Sequence, residues 1–389
     1  MNHNWTYKKL GEVCKTTSGG TPSKDHNEYY EGGTIPWLRS GEVANRNITR
    51  TEMFITQEGV DNSSAKLIPQ NSVVIAMYGA TVGQVGILRI EATTNQAVCS
   101  IMPNDSFVPE FLYYALLSHK KAYLGLAVGG AQPNISQQII KNTTIPLPPL
   151  ETQSRIVAEL DLLQSIIDKQ KAQLTELDNL AQAVFYDMFG DPVDNDKGWE
   201  VKKLGEVALV KIGPFGSLLH TSDYISGGIP LVNPIHMKNG YIKPDNSFTI
   251  SEEKKKEMLP YLLKEGDVVF ARRGEIGRCA IVSKKEDGFL CGTGSLFVRF
   301  TEPINEVYVL YLTKAHSFIN NLVSKAKGAT MLNINCKIVE DLKITLPPLS
   351  LQQSFAAKIE SIEKQKAAIN QSIAETQKLF NFTMDKYFG

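Results

Sequence analysis

The sequence predicts an α+β protein in which one unit is used twice, in the order globular domain, long helix, globular domain, long helix. Three repeats carry this reading. Leu147-Pro-Pro-Leu150 opens a stretch without Pro or Gly that ends at Phe189-Gly190, and Leu346-Pro-Pro-Leu349 opens another that ends at Phe388-Gly389, an offset of 199 residues. Trp5-Thr-Tyr-Lys-Lys-Leu-Gly-Glu-Val13 returns as Trp199-Glu-Val-Lys-Lys-Leu-Gly-Glu-Val207, an offset of 194. The block Leu67 to Gly79 matches Leu262 to Gly274 at an offset of 195, so the register drifts by only five residues along the whole unit.

The long stretches read as helices with a prolyl start and a glycine stop. In the first, Ile156, Leu160, Leu163, Ile167, Gln170, Leu174, Leu177, Ala181, Val184 and Met188 alternate spacings of four and three. That is a coiled-coil seam broken by Gln170. Adding 199 gives Phe355, Ile359, Ile362, Lys366, Ile369, Ile373, Thr376, Phe380, Thr383 and Tyr387, a seam with more polar breaks. Equal length, phase and flanks make the two helices partners. The expected divisions are 1–148 and 191–347 for the globular domains, and 149–190 and 348–389 for the central and C-terminal helices.

The globular domains read as mainly antiparallel sheet with helices. Gly33-Thr-Ile-Pro-Trp-Leu38 and Gly228-Ile-Pro-Leu-Val232 are short strands led in by Gly and Pro. Each repeated block continues into a β-branched strand, a Gly turn and a second strand (Val82 to Leu88; Ile276 to Val282), which predicts a hairpin. The tips differ: Met77-Tyr78 in one half, Arg272-Arg273 in the other. Glu110 to Tyr123 and Glu306 to Leu322 are apolar at helical spacing, and their tyrosines read as core. The turns at Ser18-Gly19-Gly20 and Gly213-Pro214-Phe215-Gly216 lack the G-K-[ST] ending that would hold a nucleotide.

With 42% apolar and 21% charged residues, the 389-residue chain has the balance of an ordinary globular protein. Five cysteines without a C-x-x-C pair suggest neither disulfides nor a zinc ribbon, and a reducing cytoplasm fits. The polar start and the lack of a long apolar run predict no signal peptide and no membrane span. The formal net charge of zero hides a local field. Residues 151–194 carry 3 basic and 9 acidic side chains, whereas 195–345 carry 21 and 17, a surplus of four cations.

The order of parts, the Pro-Pro-Leu helix openings and the Phe189-Gly-Asp-Pro192 exit resemble the specificity (S) subunit of type I restriction–modification enzymes over essentially the full length. The resemblance implies that each globular unit is a target recognition domain reading one half of a split double-stranded DNA site. It further implies an antiparallel coiled coil that spaces the readers and docks two modification (M) subunits. Those would hold S-adenosylmethionine and methylate adenine, and restriction (R) subunits would join through them. This chain would carry no cofactor, with S-adenosylmethionine, ATP and Mg on the partners.

Base and phosphate contacts call for Arg, Lys, Asn, Gln, His and hydroxyl side chains on loops. The first unit offers Lys15, Lys24, Arg39, Arg46, Tyr78, Thr81 and Gln132. The second offers Lys211, His220, Asn233, His236, Lys238, Arg272 and Arg273. The adjacent arginines stand out, because packing explains two guanidinium groups at a strand-to-Gly turn poorly. Catalytic readings fare worse. Pro244-Asp245 with Glu252-Glu253-Lys254 has the order of a nuclease motif, but its second part is helix-like, and Asn233-Pro234 lacks the Pro-aromatic continuation of an amino-methyltransferase. No histidine pattern points to a metal. The expected protein is therefore a non-catalytic DNA-reading subunit. The alternative is a coiled-coil adaptor that binds other proteins, which would lack salt-dependent DNA binding.

Overall fold

The computed structural model describes residues 5–128, 133–326 and 333–389. The chain forms two compact units, Met1–Lys171 with Gln371–Gly389, and Ala172–Asn370. Each unit combines one globular domain with a segment of both long helices, which run over Leu150–Phe189 and Leu349–Phe388.

In the first unit a five-stranded sheet has the order Thr16–Ser18, Val98–Ile101, Val73–Ala76, Val85–Leu88, Asn47–Ile48. All pairs are antiparallel except the last. Val73, Val74 and Ile75 are buried on both faces, which is why this β-branched run forms the sheet's centre. A smaller sheet joins Met53–Ile55, Ile35–Leu38 and Thr93–Thr94. The second unit repeats the plan. Its sheets are Ala208–Ile212, Ser295–Phe300, Val268–Ala271, Cys279–Ile281, and Thr249–Ile250, Ile229–Val232, Leu290–Cys291. The predicted hairpins are present as Val73–Ala76 with Val85–Leu88 and as Val268–Ala271 with Cys279–Ile281. Where the first unit has the edge strand Asn47–Ile48, the second has a small hairpin, Met237–Lys238 with Tyr241–Ile242, bridged to Ala280 through Gly240.

The glycines of the two repeated turns serve close backbone crossings. A Cβ on Gly19 would lie 1.9 Å from the Thr94 carbonyl oxygen, and one on Gly213 would lie 2.1 Å from that of Gly292. The predicted helix Glu110 to Tyr123 is two helices, Pro109–Ser118 and Lys120–Leu126, broken where the His119 ring nitrogen lies 2.9 Å from the Ala115 carbonyl oxygen. Its counterpart is likewise two, Glu306–Lys314 and His316–Lys325, with Ala315 extended between them. The tyrosines are core as expected: Tyr114, Tyr308 and Tyr311 are buried, and Tyr113 is half-buried.

Each long helix is anchored at its start. Thr6–Lys9 pairs antiparallel with Thr144–Leu147 just before the first helix, and Glu200–Lys203 pairs with Lys343–Leu346 just before the second. A buried glutamine then locks each helix to its domain. Gln153 Nε2 donates to the Ser106 and Pro148 carbonyls (2.8 and 2.9 Å), and its Oε1 accepts from the Val108 N–H (2.9 Å). Gln352 does the same, donating to Pro347 O (2.8 Å) and accepting from the Asn305 N–H (2.9 Å). Gln153→Ala leaves the partly buried Val108 N–H without this partner and removes a buried side chain's three hydrogen bonds, so about 1–3 kcal/mol of stability is expected to be lost. A thermal or urea melt beside the parent measures it, and an unchanged midpoint would deny the lock.

The seam positions differ in burial along the helices. Ile156, Leu160, Leu163, Ile167, Phe355, Ile359, Ile362 and Phe380 are buried, and Leu174, Leu177, Ile369 and Ile373 are half-buried. Within each unit the two helix segments run antiparallel. In the first, Tyr387 Oη donates to Glu159 Oε2 (2.7 Å) and Gln170 Nε2 to Ser372 Oγ (2.7 Å). In the second, Lys366 Nζ donates to Asp178 (2.7 Å) and Glu363 (2.8 Å). The polar breaks at Gln170 and Lys366 thus have partners on the opposite helix, which fixes the register. Burial alone would pull the Lys366 pKa down, but the two carboxylates outweigh it and raise it. Towards Phe189 the pattern departs from the 3.5-residue spacing. Val184 is only half-buried while Phe185 and Phe189 are fully buried, because there the helix packs on Tyr308 and Tyr311 of the domain as well as on Phe355 of the second long helix.

Candidate nucleic-acid interface

The two hairpin tips have one backbone and different side chains. Gly79 and Gly274 both take positive φ (+72° and +75°), a conformation that suits glycine, so each strand turns immediately after the variable pair. Successive side chains of a strand point to opposite faces. Met77 and Arg272 accordingly face inward, 3% and 9% exposed, while Tyr78 (44% exposed) and Arg273 face solvent. Tyr78 bridges Asn134, and Arg273 bridges Asn333 in the same way. Arg272 Nε donates to Asn333 Oδ1 (3.3 Å), and burial followed by the neighbouring Arg273 charge lowers its pKa. The expectation that both arginines meet DNA is therefore corrected: Arg273 is presented, and Arg272 is part of the packing.

Arg39 and Asn233 occupy matching places, one residue past the strands Ile35–Leu38 and Ile229–Val232, where each opens a short turn. Glu42 closes the first turn by accepting from the Arg39 N–H (3.0 Å). His236 closes the second: its Nδ1 lies 3.2 Å from Asn233 N and 2.7 Å from the Leu231 carbonyl oxygen. At 6% exposed, His236 is a capping residue and not a reader. The Arg39 guanidinium is ion-paired with Glu42 and Glu52. Asn233 Oδ1 accepts from the Gly294 N–H (3.3 Å), and the Arg272 N–H donates to the Gly294 carbonyl (3.0 Å). In the second unit, then, the tip, the 292–294 segment and Asn233 converge.

Other candidates have different places. Arg46 donates to Asp161 (2.7 Å) with its guanidinium 5.2 and 5.0 Å from the Tyr113 and Tyr114 ring centres, so it ties the first long helix to its domain. Lys211 Nζ lies 4.7 Å from the Tyr261 ring centre. Thr81 Oγ1 donates to the Tyr78 carbonyl (3.2 Å) and so shapes the tip. Lys15, Lys24, His220 and Lys238 are exposed on separate segments, and Gln132 lies outside the described residues. Three side chains beside the second cluster were not anticipated. Arg278 Nη1 donates to the Pro234 carbonyl (3.1 Å), and Ile235 and Phe215 are 70% and 59% exposed. The signal for the last two was a large apolar residue beside Pro or Gly, outside any strand alternation; such groups suit a thymine methyl.

Asp245 lies in a loop and Glu252–Glu257 is a helix, so these carboxylates are not placed on adjoining strands. Among the described residues no three His, Cys, Asp or Glu side chains gather where they could hold a metal ion, and no helix is long and apolar enough to cross a membrane.

Fold and tips together define a tandem recognition protein, one frame used twice with different side chains presented by each copy. The model of the type I restriction–modification DNA specificity domain matches residues 2–179 and 196–378, and the chain belongs to that family. Over 379 residues it is 27% identical to the specificity subunit of the type I restriction enzyme MjaIX of Methanocaldococcus jannaschii, covering 92% of this chain and 87% of that one. A solved structure from work on complex assembly and conformational transition of the type I system is similar over 99% of this chain and 97% of that chain, with 23% identity and a TM-score of 0.64. The S subunit of M. genitalium is similar over 99% and 96%, with 15% identity and a TM-score of 0.53. At these identities the two structures speak for the fold.

Proposed function

We propose that this chain is the non-catalytic DNA-reading subunit of a type I restriction–modification complex. Each globular domain reads one half of a split duplex site, and the paired helices set the spacing and dock two modification subunits. The observation that carries this reading is the pairing of Tyr78 with Arg273: equivalent positions on equivalent tips expose different recognition chemistry. Tyrosine and arginine are side chains suited to contacts with bases and backbone. Docking of a helical partner is supported on the first unit. There Leu162 and Ile166 on one helix, and Leu379 and Phe382 on the other, are 62%, 36%, 52% and 67% exposed. Each pair lies within one turn, and the Glu159–Tyr387 and Gln170–Ser372 contacts bracket them at one level of the helix pair. S-adenosylmethionine, ATP and Mg belong on the partners in this reading.

The test is methylome sequencing of a host that expresses this chain with its modification partner. Methylated adenines in a split motif are expected, dependent on both proteins. A contiguous motif, or methyl transfer by the purified chain alone, would overturn the reading.

A further inference from the structure

The unit Ala172–Asn370 contains a cleft of about 890 Å³. One wall is the Met237–Ile242 hairpin, another the turn Glu275–Cys279 that follows the reading tip, and a third the second long helix from Glu363 to Asn370. Five cations and two carboxylates line it, a surplus of three positive charges. Both carboxylates are already engaged, Glu275 with Arg278 and Glu363 with Lys366. The remaining cations, Lys238, Lys243 and Lys314, have no hydrogen-bond or ion-pair partner for their ammonium groups among the described residues. Lys314 is half-buried, with Nζ 4.6 Å from the Tyr311 ring centre, and burial lowers its pKa. Glu363 and Asp178 attract the Lys314 ammonium at longer range but pair directly with Lys366, and burial still dominates, so an anion beside Lys314 and the two free lysines would offset a cost to the fold.

The internal repeat provides a control. At the positions matching Lys314 and Lys366 the first unit has Ser118 and Ile167, so the frame folds without these charges. The cleft is also continuous with the reading surface, because Arg278 both lines it and donates to the Pro234 carbonyl beside Asn233. The wall Glu275–Cys279 follows Arg273 in the chain, so an elongated polyanion on the tip lies beside the cleft's edge.

We propose that this cleft holds the sugar–phosphate backbone of duplex DNA next to the second domain's half-site, with Lys238, Lys243 and Lys314 as phosphate ligands. The proposal rests on the DNA-reading function and adds a contact without sequence preference, made by one unit only. Affinity of the full chain for a mixed-sequence duplex, titrated across salt, tests it. Removing one phosphate ligand makes the slope of log K against log salt shallower by about 0.9. Lys238→Gln/Lys243→Gln/Lys314→Gln is expected to flatten it by roughly three such steps, with Lys314→Arg retaining the slope and the methylated motif unchanged with the partner present. If the triple variant melts early, Lys238→Gln/Lys243→Gln, both at exposed positions, is expected to show about two of the three steps. An unchanged slope overturns the proposal, as does an altered motif, which would make these lysines base readers. Loss of polyglutamate binding with DNA binding intact would assign the cleft to an acidic protein segment and overturn it too. A parent chain that binds no duplex, alone or with its partner, would instead overturn the DNA-reading function itself.

Discussion

Four residues inserted after Lys171, together with four after Asn370, are expected to lengthen the spacer of the methylated motif by one or two base pairs and to leave both halves unchanged. Each helix gains about one turn, roughly 6 Å at 1.5 Å per residue. Duplex DNA rises about 3.4 Å per base pair, so the gain is nearly two base pairs. These points fall between the compact units, so the packing inside each is untouched. Gln170 stays with Ser372, and Lys366 stays with Asp178. Four residues nearly preserve the helical phase. An insertion in one helix alone shifts the pairing by a turn in one unit and is expected to cost stability. Methylome sequencing of the doubly extended variant reads the spacer directly. Full activity with the parent spacer would show that the helices do not set the distance.

The second large effect is expected to separate two neighbours in sequence. Arg273→Ala should weaken target binding tenfold or more, since a bidentate arginine contributes about 1–3 kcal/mol of discrimination. If Arg273 reads a base, its removal relaxes one position of the motif; if it holds a phosphate, its removal weakens all sequences and flattens the salt slope. Arg272→Ala should act on stability instead, because it leaves Asn333 Oδ1 without its partner and opens a hole at the place Met77 fills in the other unit. Arg272→Met is expected to restore folding without changing the motif. Equal loss of specificity from both alanine variants would refute the inward assignment of Arg272, and parent-like binding by Arg273→Ala would remove Arg273 from the interface.

Much of the architecture was legible because it is local or periodic. The repeat, the Pro-Pro-Leu openings, the seam spacing and the strand–Gly–strand hairpins follow from residue types a few positions apart, and the family resemblance rests on that order. The two polar seam positions were visible as breaks, though not as partnered groups. The locking glutamines carried a signal, since Gln153 and Gln352 stand at the repeat offset of 199, but nothing nearby marked them as buried.

What the sequence determined by itself is therefore the α+β unit used twice, the two partner helices and the two differing tips. Which tip residues face outward was decided by the tertiary structure. The strands Val73–Ala76 and Val268–Ala271 are buried on both faces, so their apolar runs give no in–out alternation to extend into the tip. Arg272 turns inward because Asn333, 61 residues away, arrives beside it, and His236 is buried because Leu231 and Asn233 take its ring. Arg46 turns onto the first long helix because Asp161 there meets it. A polar side chain's fate depends on its distant partner, and spacing along the chain carries no record of that partner.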